Sequence, residues 1–333
     1  MKGFSNRWKD FPDYIIGITK EIWEDRGVGT LNHYYAPNIP VRSPMGIQRG
    51  NQAVIASTMG TIYEFRDRQL FGEDVIWSGD ADTGFLSSHR LITTATHTHD
   101  GLFGKATGKK FTARVIADCA AKDDVIFDEW LVRDYGAIVR QLGGHPREFA
   151  RELIRSEGGV ETASKPFTPD QDVDGGYHGS GNDHIWGVKY AATLQKMMNK
   201  EFECIKHDYD RAVIAHYAGG VAGLSWESVE DFWLGLRSSF PNAMFKIHHQ
   251  IGMEGDMLPP RAAIRWSLDG VHDGLGAFGR PTGAKVHIMG MCHAEYGPFI
   301  TNGESGEATI RRETALYDEV AIWKQILMQS GDI

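Results

Sequence analysis

The chain has 333 residues, of which 41% are hydrophobic and 24% charged, and a formal net charge of −9 at pH 7. The length favours two domains of ordinary size, and the acidic balance excludes partners that demand a basic face, nucleic acid and anionic membrane among them. Three cysteines, Cys119, Cys204 and Cys292, are odd in number, widely spaced and without a C-x-x-C pair, so neither a disulfide framework nor a thiolate zinc site is encoded.

Met1 to Tyr14 carries charges and a proline but no apolar stretch, and no segment approaches the ~18 apolar residues of a membrane span. A cytoplasmic protein is expected. From Tyr14 to Asp25 the residues Tyr14, Ile15, Ile18 and Ile22 recur at helical spacing, with Lys20, Glu21 and Glu24 left for solvent. Leu31 to Ala36 reads as a second, short helix stopped by Pro37 and Pro40, and Arg49 to Phe65 as a third with Val54 and Ile62 in the core.

From Asp74 the texture changes to strands. Val75 to Trp77 is followed by a polar loop over Ser78 to Gly84, then by strands at Phe85 to His99, Lys110 to Ala121 and Val125 to Arg133. A turn at Lys122, Asp123 and Asp124 joins the last two. Asp134 to Leu142 closes this half with a helix, and Arg147 to Ser156 predicts another. Gly158 to Gly187, rich in Gly, Asp, Ser and Pro, reads as an extended linker over the surface.

The order then repeats. Helices are expected at Tyr190 to Phe202, Asp210 to Tyr217 and Ser225 to Phe240. Strands follow at Met244 to Ile251, Ala262 to Val271, Val286 to Tyr296 and Ala308 to Leu316, and Asp318 to Met328 closes as a helix. The repeat is explicit in HTHDGLFGKATG, from His97 to Gly108, and HDGLGAFGRPTG, from His272 to Gly283. These share His97/His272, Gly101/Gly276, Phe103/Phe278, Gly104/Gly279, Thr107/Thr282 and Gly108/Gly283. The same offset pairs Val54 with Val229 and Phe65 with Phe240, while a slightly larger one pairs Glu129 and Asp134 with Glu313 and Asp318. So long a period is a domain duplication, not a solenoid. Helices followed by strands predict α+β domains with helices on one face of an antiparallel sheet; the boundaries fall at 1–150 and 188–333, with a linker at 151–187.

Both halves resemble the SnoaL-like polyketide cyclases of the NTF2-like (cystatin-like) superfamily. The likeness rests on THTHDGLFGKATGKKF followed by DEWLVRDYGAIVRQLG, and on VHDGLGAFGRPTGAKV followed by RRETALYDEVAIWKQI. The resemblance implies tandem cone domains, each a curved antiparallel sheet wrapped around helices with an apolar cavity. It also implies cofactor-free acid/base catalysis of an intramolecular aldol condensation on a polyketide ester. The acid/base Asp of those cyclases falls at Leu131 and Ala315, and their pocket His at Ala117 and Cys292, with His293 one residue on. The His matching His97 and His272 is kept.

His97 and His272 are thus the first candidates, either as proton shuttles in a cavity or as hydrogen-bonding braces of the turn. His89, His97 and His99 share a parity that would line one sheet face, with Asp118 on the next strand; the alternative for His89 and His99 is an exposed rim. Arg133 would clamp a carboxylate or ester, although Tyr317 stands there in the second half. Asp134 and Asp318 begin the closing helices as caps or as cavity acids, and Glu129 and Glu313 are cavity acids or edge charges. Tyr35, Trp130 and Trp266 complete the candidate substrate-binding set.

No metal is expected, because Phe103, Gly104 and Lys105 stand where the H-x-H pair His97/His99 would need a Glu. Gly274 to Gly279 satisfies G-x-G-x-x-G, yet Pro281 and Gly283 follow where a helix should open, so no dinucleotide cofactor is expected either. Cys119 and Cys292 read as core thiols. The functional expectation is a cofactor-independent acid/base enzyme of the aldol cyclase, isomerase or dehydratase type, acting on a small carbonyl or polyketide-like substrate. His97 would shuttle the proton with Asp118 or Glu129 orienting it. The alternative is a non-catalytic small-molecule-binding or assembly scaffold, as a homodimer or as a pseudo-dimer within one chain.

Overall fold

The computed structural model of the chain describes residues 1–297 and 308–333. Two compact units divide it: Met1–Pro146 with Phe167–Gly179, and Arg147–Pro166 with Ser180–Ile333.

The first unit opens with α1 (Phe11–Trp23), where the Asp10 side chain accepts from the Asp13 N–H and Pro12 occupies the first turn. Its buried stripe of Tyr14, Ile15, Ile18 and Ile22 is the one predicted by spacing. There follow α2 (Leu31–Tyr34), β1 (Pro40–Ser43), β2 (Gly46–Arg49), α3 (Asn51–Glu64), β3 (Gln69–Asp80), β4 (Gly84–Thr96), β5 (Lys110–Lys122), β6 (Val125–Arg133) and α4 (Tyr135–Leu142). The sheet order is β2-β1-β6-β5-β4-β3. Asp123 and Asp124 turn β5 into β6 with φ of 51° and 64°, the two positive values that a tight two-residue hairpin needs.

The second unit holds α5 (Pro146–Ser156) from its second residue, α6 (Ile185–Met198), α7 (Ile205–Asp208), β7 (Tyr209–Tyr217), β8 (Val221–Leu224) and α8 (Ser225–Ser239). It continues with β9 (Met244–Gly255), β10 (Leu258–Val271), β11 (Lys285–Tyr296), β12 (Ile310–Tyr317) and α9 (Glu319–Ser330). Its sheet order, β8-β7-β12-β11-β10-β9, repeats the first one strand for strand. The chain is a tandem of two α+β domains of one topology.

Three expectations need correction. The sheets are mixed, not antiparallel: β1 runs parallel to β6 and β7 parallel to β12. Each of these strands enters after the opening helices and lies beside the last strand of its own unit. Asp210 to Tyr217 is not a helix but most of β7, in which Val213, Ala215 and Tyr217 are buried in alternation; period-two burial and a β-branched pair, Val213 and Ile214, outweigh helical propensity there. The hairpin β1–β2 was hidden by Pro37 and Pro40, which read only as breakers.

The Gly-rich connection is also more built than its composition suggests. The Arg42 guanidinium pairs with Asp128 and Asp172 and donates to the Val173 carbonyl, tying residues 167–179 to the first unit. In the second, fully buried Lys324 donates to Glu157 and Ser164, both at 2.8 Å. Among the described residues no helix is long and apolar enough to cross a membrane.

In the first unit α1 packs on β3 and β4, and α4 on β5. Its apolar cluster joins Tyr14, Ile18 and Ile22 to Leu91, Val115, Ala117 and Leu131 on the inner sheet face. A cavity of about 540 Å³ remains among α1, α3 and the inward-facing residues of β4, β5 and β6, within the size range of small-molecule sites.

Candidate active site

The repeated Gly-rich stretch forms the same braced turn in both units. Gly104 and Gly108 hold φ of 88° and 67°, Gly279 and Gly283 78° and 75°, a region where a β-carbon would be strained. His97 Nδ1 lies 3.3 Å from Thr107 Oγ1, and its backbone bonds Lys109 and Gly108. His272 repeats this with Thr282 at 3.1 Å and with Ala284 and Gly283. His97 Nε2 stands 3.3 Å from Glu64 Oε1 without a linear hydrogen bond. The Glu64 oxygens in turn accept from the backbone N–H groups of Phe103 (2.8 Å) and Leu102 (3.1 Å). Both histidines are fully buried, and His97 is not among the residues lining the cavity. Its contacts are with Glu64 and with the turn.

Glu129, on β6, does line the cavity. It pairs across the sheet with Cys119 and with Val41, which places it mid-sheet on the inner face. Burial pushes its carboxyl up from 4.5 to about 7, against the pull of a Tyr35 hydrogen bond, the Arg133 charge and a Cys119 hydrogen bond. Its Oε2 is buried without a hydrogen-bond partner. Tyr35, at the end of α2, also lines the cavity, and its hydroxyl is held well above its usual value by burial and by the Glu129 charge. A carboxyl poised near neutrality with one uncommitted oxygen is equipped to take or give a proton.

His89 lines the cavity as well, with Nδ1 3.1 Å from Ser87 Oγ. Burial lowers it to about 4, so at neutral pH it is a neutral imidazole that can accept or donate a hydrogen bond but carries no charge. Arg133 and Arg68 complete the polar lining. Arg68 is 6% exposed, its Nε donates to Thr93 Oγ1 at 3.0 Å, and its guanidinium lies 4.8 Å from the Trp23 ring.

Of the remaining candidates only Asp134 borders the cavity. Asp118 neighbours Ala117 and Cys119, which line the cavity, so its side chain leaves the sheet on the opposite face and is not in the lining. Trp130 likewise faces away from Glu129, packing against Arg42 and Tyr177. His99 is half-buried, 4.6 Å from the Tyr63 ring, with Nδ1 3.0 Å from Thr98 Oγ1. Asp134 and Asp318 cap α4 and α9: each accepts a 2.9 Å bond, from the Ala137 and Val320 N–H groups respectively; Asp134 also borders the cavity. His293 is buried on the sheet face opposite its neighbour Cys292, which belongs to the second core.

The second unit places larger side chains at the corresponding positions. Glu313, the counterpart of Glu129, accepts four hydrogen bonds: from the hydroxyls of Tyr190 (2.7 Å), Tyr209 (2.8 Å) and Tyr217 (2.5 Å) and from Trp233 Nε1 (3.1 Å). Trp233 occupies on α8 the place of Thr58 on α3, and Trp266 on β10 that of Leu91 on β4; both indoles are fully buried, with centroids 5.8 Å apart. Thr58 and Leu91 line the first cavity.

Sequence reasoning missed Arg68 and Glu64. Arg68 sits in the short connection before β3 and belongs to no pattern, while Glu64 faces Ser239 in the repeat and so never shows as a pair. The exchange of Thr58 for Trp233 and of Leu91 for Trp266 was available as a signal, since both follow from the repeat offset.

No family model and no curated protein matches the chain. Among solved structures, TsrD from Streptomyces laurentii is similar at 18% identity over 40% of this chain and 98% of its own, with a TM-score of 0.35. IdmH from Streptomyces antibioticus is similar at 21% over 40% and 97%, also at 0.35. A SnoaL-like polyketide cyclase from Agrobacterium tumefaciens is similar at 18% over 43% and 98%, at 0.32. Each of the three is covered nearly whole by about two-fifths of this chain.

Proposed function

We propose that the chain is a cofactor-independent acid/base enzyme, of the aldol cyclase, isomerase or dehydratase type, working on a small carbonyl compound in the cavity of its first domain. The observation that carries this reading is Glu129: a buried carboxyl with one oxygen unpartnered, lining the cavity, and raised to about 7. In the ionised form Glu129 takes a proton from the carbon next to a carbonyl, and the electron pair of the broken C–H bond moves onto the carbonyl oxygen as an enolate. The neutral carboxylic acid then returns the proton to carbon, for isomerisation, or to a departing hydroxyl, for dehydration. In an aldol closure the enolate carbon attacks a second carbonyl of the same molecule and Glu129 protonates the alkoxide that forms. Tyr35 and neutral His89 border the same space and are the hydrogen-bond groups available to the developing oxyanion.

The second domain supports the alternative, structural role for itself, because Glu313 has no uncommitted oxygen and indoles occupy its interior. The test is hydrogen–deuterium exchange at carbon in heavy water, followed by NMR across a panel of β-diketones and β-keto esters. The wild-type chain should accelerate exchange for some members and Glu129→Gln should remove that acceleration. Full exchange activity in Glu129→Gln would sink the proposal.

A further inference from the structure

Resting on the cavity as the site of that chemistry, we infer that its substrate carries a carboxylate, held by Arg68 and Arg133 in the same cavity. Burying a guanidinium is costly unless an anion meets it. Arg68 is nearly buried, yet among the described residues neither it nor Arg133 has a carboxylate within 4.0 Å. Its Nε is bound to Thr93 and its face is covered by Trp23, which leaves the two Nη groups as the free edge of the planar fork, and both arginines border the cavity. Arg114, the other arginine of the lining, is already paired with Glu73.

The nearby acids do not fill the gap. The Glu64 oxygens are engaged by backbone N–H groups of the turn, and Asp134 caps α4. They do bear on the charge of the guest: a dianionic phosphate would meet both carboxylates, whereas a carboxylate brings one charge and a flat pair of oxygens that matches a guanidinium edge. Along β6, Glu129, Leu131 and Arg133 share one face, so the Cα atoms of Glu129 and Arg133 are roughly 13 Å apart. A carboxylate seated on the arginines would therefore present a carbon several bonds away to Glu129, with an apolar body against Leu31, Val41 and Leu91.

Binding of 4-phenylbutyrate and of its uncharged amide to the full chain, measured by calorimetry at neutral pH, tests this. The carboxylate should bind, the amide at least tenfold more weakly, and Arg133→Gln should weaken the carboxylate by roughly 10- to 100-fold, the range for a hydrogen-bonded charged group. Arg68→Lys, which keeps the charge and loses the fork, should fall in between, and serves if Arg68→Gln does not fold. The acid-against-amide comparison on the wild-type chain reads this inference alone and carbon exchange by Glu129→Gln reads the acid/base proposal alone, so that failure of one and failure of the other give different results. Equal binding of acid and amide, no binding of the acid at millimolar concentration, or undiminished binding by Arg133→Gln overturns the inference.

Discussion

Glu129 and Glu313 stand at one position of the same fold, five residues before the Asp that caps each closing helix, and differ in what meets their oxygens. Glu313 accepts from three tyrosines and a tryptophan, while Glu129 keeps Oε2 unpartnered. The same residue type is a saturated core group in one domain and a buried carboxyl with an unpartnered oxygen at a cavity in the other, as the proposed proton transfer requires.

Glu129→Gln should reduce turnover by about 100-fold or more, the usual contribution of a general base. Steady-state kinetics on any compound whose exchange the wild type accelerates will show it, with the loss in kcat rather than in KM.

The pH dependence follows from the same carboxyl. Its folded value, about 7, lies above the 4.5 of a free glutamate, so between those values the folded state holds a proton that the unfolded chain has released. Stability from this group is complete below about 4.5 and declines as pH rises through 7, by an amount of the order of 3 kcal/mol. Turnover should run the other way, rising through pH 7 as the base form appears. Thermal melts above pH 7 should find Glu129→Gln more stable than wild type.

Glu313→Ala should destabilise by about 3 kcal/mol or more, because four buried donors lose their acceptor. Urea unfolding measures it. A fall in kcat for the folded fraction, with Glu129 intact, would contradict the purely structural role of this residue.

Thr58→Trp should copy the closed domain into the open one. The variant is expected to fold and to lose 4-phenylbutyrate binding, which calorimetry will reveal. Trp233→Thr, conversely, opens a cavity and should cost about 3–5 kcal/mol.

His97→Ala removes the link among Thr107, Glu64 and the Gly-rich turn. A melting temperature lowered by several degrees, with turnover per folded molecule within a few-fold of wild type, is the expected result. Abolished turnover at unchanged stability would return His97 to the chemistry.

The repeat made the duplication and most helices and strands readable in sequence, since His97/His272 and their glycines impose one turn geometry twice. What escaped notice depended on distant pairing. DRAVIAHY became β7 only because β12 offers it a parallel partner, and the Gly158 to Gly187 stretch gained order from Arg42 and Lys324, far away in the chain. Parity offered His89, His97 and His99 a common sheet face and left an exposed rim open for His89 and His99; His89 lies in the cavity lining and His97 does not, which a parity count alone cannot separate. Asp118 lies between Ala117 and Cys119, which face inward, so strand alternation turns its side chain to the other face. Arg68 carried no pattern at all.

The Gly-rich signature occurs twice, whereas indoles fill only one of the two interiors. Counting signatures would predict two equivalents of guest per polypeptide, whereas the buried pair Trp233 and Trp266 predicts one, a ratio that a calorimetric titration of the proposed carboxylate guest reads directly.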